Sequence, residues 1–362
     1  MTDRQALDKY RMTGHKLLWH LDRVNSWQKG ERIAPLHIEL GITNGCNLEC
    51  KYCYGDMIGK ADRNNKFDMP REALLRLFRD AKDIGVKSIG LVGEGENTMS
   101  PYFYDAIDYA RKIGLNLGMA TNGIAFKKNK IKDMLESFVW IRFSLGGANR
   151  TSYLDVHGVD AFEHVTGNIK KCVATKKQYG LKTTLGTQMV VISNNIQDIV
   201  PLAKLSRELG VDYFVAKPCS DTPDKKLKVP HEEYLKLGKL FEEAESYSDE
   251  SYAVVIKWNK FGNLGLNEFK TCYGTQFNMT INARGDVAPC GHLLGYRRDE
   301  FYMGNVIEQS FKEIIASERY WEVQKKVQTL DVNRECETNC LHHYINEFLE
   351  ALKNPPNHIN FV

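Results

Sequence analysis

The sequence predicts an α/β chain: a parallel sheet with crossover helices, followed by a small C-terminal β-hairpin/helix unit. Three observations predict it. Short apolar runs alternate with longer amphipathic ones along most of the 362 residues. Several amphipathic runs stop at a glycine that follows a basic or aromatic residue, the usual helix terminus. Beyond about residue 248 this alternation gives way to a glycine-turned hairpin and scattered cysteines.

Residues 1–34 predict a helical extension, with Leu17, Leu18, Leu21, Val24 and Trp27 at helical spacing. Strand candidates follow at 36–43, 88–93, 116–121, 140–145, 183–191 and 213–218. Between them, 70–85, 100–114, 161–180 and 195–210 carry helical periodicity. Strands that each feed a helix form a parallel sheet, because parallel neighbours need long crossovers. Six such units make an incomplete (β/α)6 barrel or an open doubly wound sheet, and periodicity does not separate the two. A helix over 231–246 closes this region and the charged stretch 246–251 is a linker, so the main body is 35–248 and the C-terminal unit 249–362. In the latter, 277–293 predicts a hairpin turning between Asn282 and Asp286 on Gly285. Helices are expected over 311–330 and 344–354.

With 49 basic and 46 acidic residues the net charge is +3. The basic clusters at 127–130 and 225–228 are short and fit solvated helix ends or loops, so nucleic acid is not implied. No apolar run reaches the length of a membrane span, and MTDRQALDKYRM lacks the apolar core of a secretory signal. The expectation is a cytoplasmic protein. There, nine cysteines argue for metal ligation or redox chemistry rather than disulfides.

Directly after the first strand, GITNGCNLECKYCYGD places Cys46, Cys50 and Cys53 as C-x3-C-x2-C. Three thiolates on one glycine-containing loop can wrap a small metal site. A closed zinc site wants four ligands, whereas three on a four-iron cluster leave one iron open, and all-thiolate ligation suits iron–sulfur clusters.

This motif resembles the signature of the radical S-adenosylmethionine (SAM) superfamily, in which an aromatic residue, here Tyr52, precedes the third cysteine. The resemblance implies a partial (β/α)6 TIM-like barrel and a [4Fe–4S] cluster whose open iron is chelated by SAM. Reductive cleavage of SAM then gives a 5′-deoxyadenosyl radical that abstracts hydrogen from substrate. By the same resemblance, SAM-binding positions lie at the strand ends. Gly95 and Glu96 align with a Gly-Gly-Glu motif whose first glycine is replaced by Glu94. Asn122, Ser144 and Gln188, the last close behind Gly186, follow on the third, fourth and fifth strands.

Cys272 and Cys290 bracket the hairpin as C-x12-G-x4-C, and Cys336 and Cys340 follow. This resembles the SPASM or twitch extension and implies one auxiliary [4Fe–4S] cluster held by four cysteines. Structural zinc is the competing reading of those cysteines. His342 and His343 are spare ligands, expected at the surface or in a structural role.

Cys172, inside a helix, is expected to be packing. Cys219 and Lys217 end the sixth strand, where parallel sheets present active-site residues. Cys219 suits hydrogen donation to a substrate radical, and Lys217 an anionic group. Glu94, Arg142 and Asn259 are further candidate contacts. The resemblance leaves dehydrogenation or epimerisation of a hydroxylated small molecule (sugar, nucleotide sugar or aminocyclitol), with flavodoxin or ferredoxin as electron donor. A peptide-modifying enzyme is the alternative, weakened by a preface too short and too helical for a leader-recognition domain. A zinc-stapled binding protein without redox chemistry is the reading from another class.

Overall fold

Apolar residues occupy one parity of successive strands: Ile38 and Leu40, Ile89 and Leu91, Leu117 and Met119, Ile141 and Phe143, Leu185 and Met189 are all buried. Period-two alternation sends them to one face of the sheet. There they join helix residues such as Leu74, Phe78, Ile107, Leu135, Ile169, Leu202 and Phe241 in one continuous core. The computed structural model describes residues 14–53, 55, 65–221, 225, 227–355 and 357–361.

Among the described residues, ten strands form one sheet: β1 His37–Leu40, β2 Ser88–Leu91, β3 Asn116–Thr121, β4 Phe138–Ser144, β5 Thr184–Val191, β6 Tyr213–Pro218, β7 Ala253–Ile256, β8 Asn278–Ile281, β9 Asp286–Ala288 and β10 Gly304–Asn305. Their order is β10-β9-β8-β1-β2-β3-β4-β5-β6-β7. β1 to β7 are parallel and in sequence order, the arrangement of a partial (β/α) barrel.

The opposite parity lines the inner face: Glu39 on β1, Trp140, Arg142 and Ser144 on β4, Gln188 on β5, and Tyr213, Val215 and Lys217 on β6. Two glycines on this face lie under rings of the neighbouring strand. A Cβ on Gly118 would sit 2.1 Å from Trp140 and one on Gly186 2.3 Å from Tyr213. Tyr213, Val215 and Val255 form a small separate apolar cluster; most of the remaining inner face is polar.

The six expected strands are present, and the hairpin turns as the sequence predicts, with Gly285 at φ +85° between antiparallel β8 and β9. Four expectations are corrected. A seventh parallel strand, β7, lies beyond the linker and pairs with β6, while β8 pairs parallel with β1 at the other side of the barrel strands. The sheet therefore continues across residue 248. The helix expected over 231–246 is two, His231–Tyr234 and Gly238–Glu245. That over 311–330 divides into Phe311–Ala316 and Glu318–Val327, because Ser317 Oγ accepts from the Tyr320 N–H and caps a new helix. In the extension, Leu17, Val24 and Trp27 are buried but Leu18 and Leu21 are half exposed. Gly14–His20 is a 3₁₀ helix, whose tighter turn moves Leu18 off the buried stripe, and Leu21 opens the α-helix that follows.

Candidate active site

β1 runs directly into the loop bearing Cys46, Cys50 and Cys53, and the loop after β2 lies flush against it. A Cβ on Gly95 would stand 2.4 Å from the Thr43 carbonyl and 2.6 Å from that of Gly45, so only glycine fits. The next amide, Glu96 N–H, donates to Gly45 O at 2.8 Å.

The Glu96 carboxylate is buried and fully engaged. It accepts from the Thr98 hydroxyl at 2.6 Å, the Thr121 hydroxyl at 2.8 Å and the Asn122 N–H at 2.7 Å, bracing the end of β2 against that of β3. Asn122 in turn donates to Asn47 Oδ1 at 2.6 Å, inside the cysteine loop. Glu96 and Asn122 thus hold the loops around the cysteines in place.

Glu94 points the other way. Its carboxylate accepts from the Ala283 N–H at 2.8 Å, at the tip of the β8–β9 hairpin. Burial raises its pKa to about 7. The residue that replaces the motif's first glycine therefore joins the barrel to the C-terminal unit.

Ser144 and Gln188 are register partners across β4 and β5. Among the described residues neither side chain makes a hydrogen bond, which leaves both open to a ligand. Tyr52 packs edge-on to His157, with ring centroids 5.8 Å apart. Its buried hydroxyl lacks a partner among the described residues, as does that of Tyr153. Burial, with Cys50 next in effect, pushes the Tyr52 phenol well up.

His157 was not anticipated. It ends the helix Arg150–His157 and places Nδ1 3.0 Å from Cys50 Sγ, while its Nε2 accepts from the Gly146 N–H at 2.9 Å. The second bond fixes the tautomer, so Nδ1–H points at the sulfur. Burial lowers its pKa to about 4. A lone histidine before a helix-terminating glycine carries no motif that would have revealed this.

Cys219 and Lys217 share strand parity at the end of β6. Cys219 is 2% exposed, and burial raises its thiol to about 12, so it holds its proton at neutral pH. Cys172 is wholly buried in the core, as expected. Asn259 is exposed.

The four C-terminal cysteines, far apart in sequence, meet. Cys272, Cys290, Cys336 and Cys340 line one cavity with Glu337 and His342. All are free thiols pushed up chiefly by burial. Asn346 Nδ2 donates to Cys272 Sγ at 3.5 Å and the His342 N–H to Cys340 Sγ at 3.3 Å. His342 and His343 are both buried, against the alternative of a surface position. His342 Nε2 has no partner among the described residues. Cys336, despite the longer spacing to Cys340, lines the same cavity as the other three.

The sequence profile of the radical SAM superfamily matches residues 40–206, and that of the SPASM iron–sulfur cluster-binding domain matches residues 272–341. The chain carries a radical SAM domain and a SPASM domain. A tungsten-containing aldehyde ferredoxin oxidoreductase cofactor-modifying protein of Pyrococcus furiosus is 26% identical over 302 residues, 78% of this chain and 82% of that one. A probable GTP 3′,8-cyclase of Saccharolobus islandicus is 27% identical over 176 residues, 48% of this chain and 54% of the cyclase, so the match spans about half of that relative. Streptococcus suis SuiB bound to S-adenosylmethionine has the same fold, with TM-score 0.66 at 18% identity over 94% of this chain and 79% of that one. The structure of native anSMEcpe with bound AdoMet gives 0.61 at 20% identity, covering 88% and 95%.

Radical SAM and SPASM domains together imply a SAM-binding [4Fe–4S] cluster, an auxiliary cluster and SAM. The donor sets fit: three cysteines on one braced loop beside unpartnered phenols, and four cysteines around a second cavity. No helix among the described residues is long and apolar enough to cross a membrane.

Proposed function

We propose that this radical SAM enzyme abstracts a hydrogen atom from a hydroxylated small molecule inside the barrel and returns one from Cys219, inverting a carbon centre. In this reading Cys46, Cys50 and Cys53 hold the SAM-binding cluster, and Cys272, Cys290, Cys336 and Cys340 the auxiliary one. Tyr52, Gly95, Ser144 and Gln188 line the SAM site, with Glu96 and Asn122 positioning it. The bound cofactors supply reductive cleavage of SAM and the radical that removes the substrate hydrogen.

The observation that carries the reading is the Cys219 thiol: buried, protonated and at the C-terminal end of a barrel strand. Its S–H bond breaks as a new C–H bond forms on the substrate. The sulfur-centred radical left behind takes one electron from a flavodoxin- or ferredoxin-class donor and one proton from solvent. Each inversion thus consumes one SAM, two electrons and one proton. A relative described as a cofactor-modifying protein supports a small-molecule substrate; likeness to SuiB bears on the fold alone.

A second reading, dehydrogenation, is favoured by the four-cysteine cavity. A cluster ligated at all four corners has no iron for substrate and suits taking up an electron.

The test is anaerobic turnover in D₂O with sugars, nucleotide sugars and aminocyclitols. Inversion predicts a product carrying one solvent deuterium at the inverted carbon. Cys219→Ala should then still form 5′-deoxyadenosine but yield no inverted product. A product two hydrogens lighter, made equally well by Cys219→Ala, would replace inversion with dehydrogenation.

A further inference from the structure

The inner face of the barrel carries Glu39 on β1, Arg142 on β4 and Lys217 on β6. They interact electrostatically without touching. Lys217 feels both Arg142 and Glu39, yet among the described residues none of the three side chains makes a hydrogen bond or an ion pair. Arg142 Nε is buried with no partner there, and its guanidinium lies 5.3 Å from the centre of the Trp140 ring. Lys260, the third cation nearby, is already engaged with the carbonyls of Asn339 and Cys340 at 2.9 Å each.

Unpaired charges inside a protein are costly, and buried cations are ordinarily paired. The register makes the arrangement specific. Arg142 faces Gly186, over which the Tyr213 ring lies, and Ser144 faces Gln188 one step nearer the cysteine loop. Lys217 faces Val190 on the β5 side, which offers no acceptor. The two cations thus lie on either side of β5, on the same face of the sheet.

We propose that Arg142 and Lys217 together dock an anionic group of the substrate, a phosphate or a carboxylate, within the barrel, Arg142 from one register step below Ser144 and Gln188 and Lys217 from one step above them. Arg142 offers a planar fork held by its ring neighbour, and Lys217 a point charge from the next strand but one. Glu39, across the chamber, keeps a second anion away and accepts from a hydroxyl. The substrate class is therefore a hydroxylated molecule with one anionic end. This rests on the barrel being the substrate chamber, as in the proposed function.

The experiment measures binding of inorganic pyrophosphate and of malonate to the reconstituted full-length protein by calorimetry, with and without SAM. One of the two is expected to bind saturably, and which one does so distinguishes a phosphate from a carboxylate. Lys217→Gln and Arg142→Gln should each weaken that binding by roughly tenfold or more, the loss expected for one charge-assisted hydrogen bond. Lys217→Arg should restore most of it. Lys128→Gln, at an exposed lysine, should change nothing, and SAM affinity should be equal in all variants.

Three results would overturn the inference: no saturable binding of either anion, variants that bind as the wild type does, or SAM affinity falling in parallel. The last would show that these cations serve the SAM carboxylate. Loss of anion binding alongside deuterated product would remove only this inference, whereas anion binding with no turned-over product would leave it standing and remove the proposed function.

Discussion

His157 Nδ1 stands 3.0 Å from Cys50 Sγ, tying the end of a helix to the middle cysteine of the first motif across 107 residues of chain. An N–H donated to a cluster sulfur favours the more reduced state, and such bonds are one of the levers that set cluster potentials. His157→Leu should therefore bind iron but show a more negative midpoint potential for the cluster at Cys46, Cys50 and Cys53. EPR-monitored redox titration reads this directly. His157→Gln, which keeps an N–H donor, should recover part of the shift; identical potentials in all three proteins would contradict the role.

Glu94 joins the two halves through Ala283, and its carboxyl is raised from the ordinary 4.5 to about 7 by burial. Between those values the folded chain holds a proton that the unfolded chain releases. Its contribution to stability is therefore complete below about pH 4.5 and lost as pH rises through 7, a difference of roughly 3 kcal/mol. Glu39, also raised to about 7 by burial, acts in the same window. Glu94→Gln should flatten part of the profile, so the variant loses less stability than the wild type between pH 5 and pH 8. Thermal unfolding at the two pH values measures it; equal slopes would show that Glu94 titrates normally.

The strands and both cysteine groups were legible because their signals are local: alternation over a few residues, or spacing within one loop. The ends of β2 to β5 followed in order for the same reason. Glu94 was legible as a departure from a motif but not in its direction, which depends on an amide 189 residues away. His157 meets Cys50 only through the packing of its helix against the cysteine loop. β7 was missed because four residues, AVVI, directly after a charged stretch carry too little periodicity. Ser317 shows the converse case, a capping residue inside a helical pattern that divides it.

Gly118 offers a test of the inner face. A Cβ there would meet Trp140 at 2.1 Å, and Trp140 in turn lies against Arg142. Gly118→Ala must displace the indole, and overpacking of this kind costs about 1–3 kcal/mol. Gly167, within the helix Phe162–Tyr179, has nothing within 4 Å of where a Cβ would stand. Gly167→Ala should stabilise by up to about 1 kcal/mol through helix propensity. Opposite shifts in the unfolding midpoint are expected, and a neutral Gly118→Ala would mean that Trp140 has room to move.

Iron content separates the two cysteine sites. Anaerobically reconstituted wild type should carry about eight irons per chain, as two four-iron clusters require. Cys50→Ala should keep about four and form no 5′-deoxyadenosine with dithionite and SAM, since the open-iron site is gone. Cys340→Ala should also keep about four but still cleave SAM, because the barrel motif is intact. Cys336→Ala decides the fourth ligand of the second site. Cys336 and His342 both line that cavity, and the His342 Nε2 is unpartnered among the described residues. Loss of the second cluster in Cys336→Ala, with retention in His342→Ala, assigns the cysteine. The reverse pattern would make the site three cysteines and one histidine, with Cys336 a bystander at its rim.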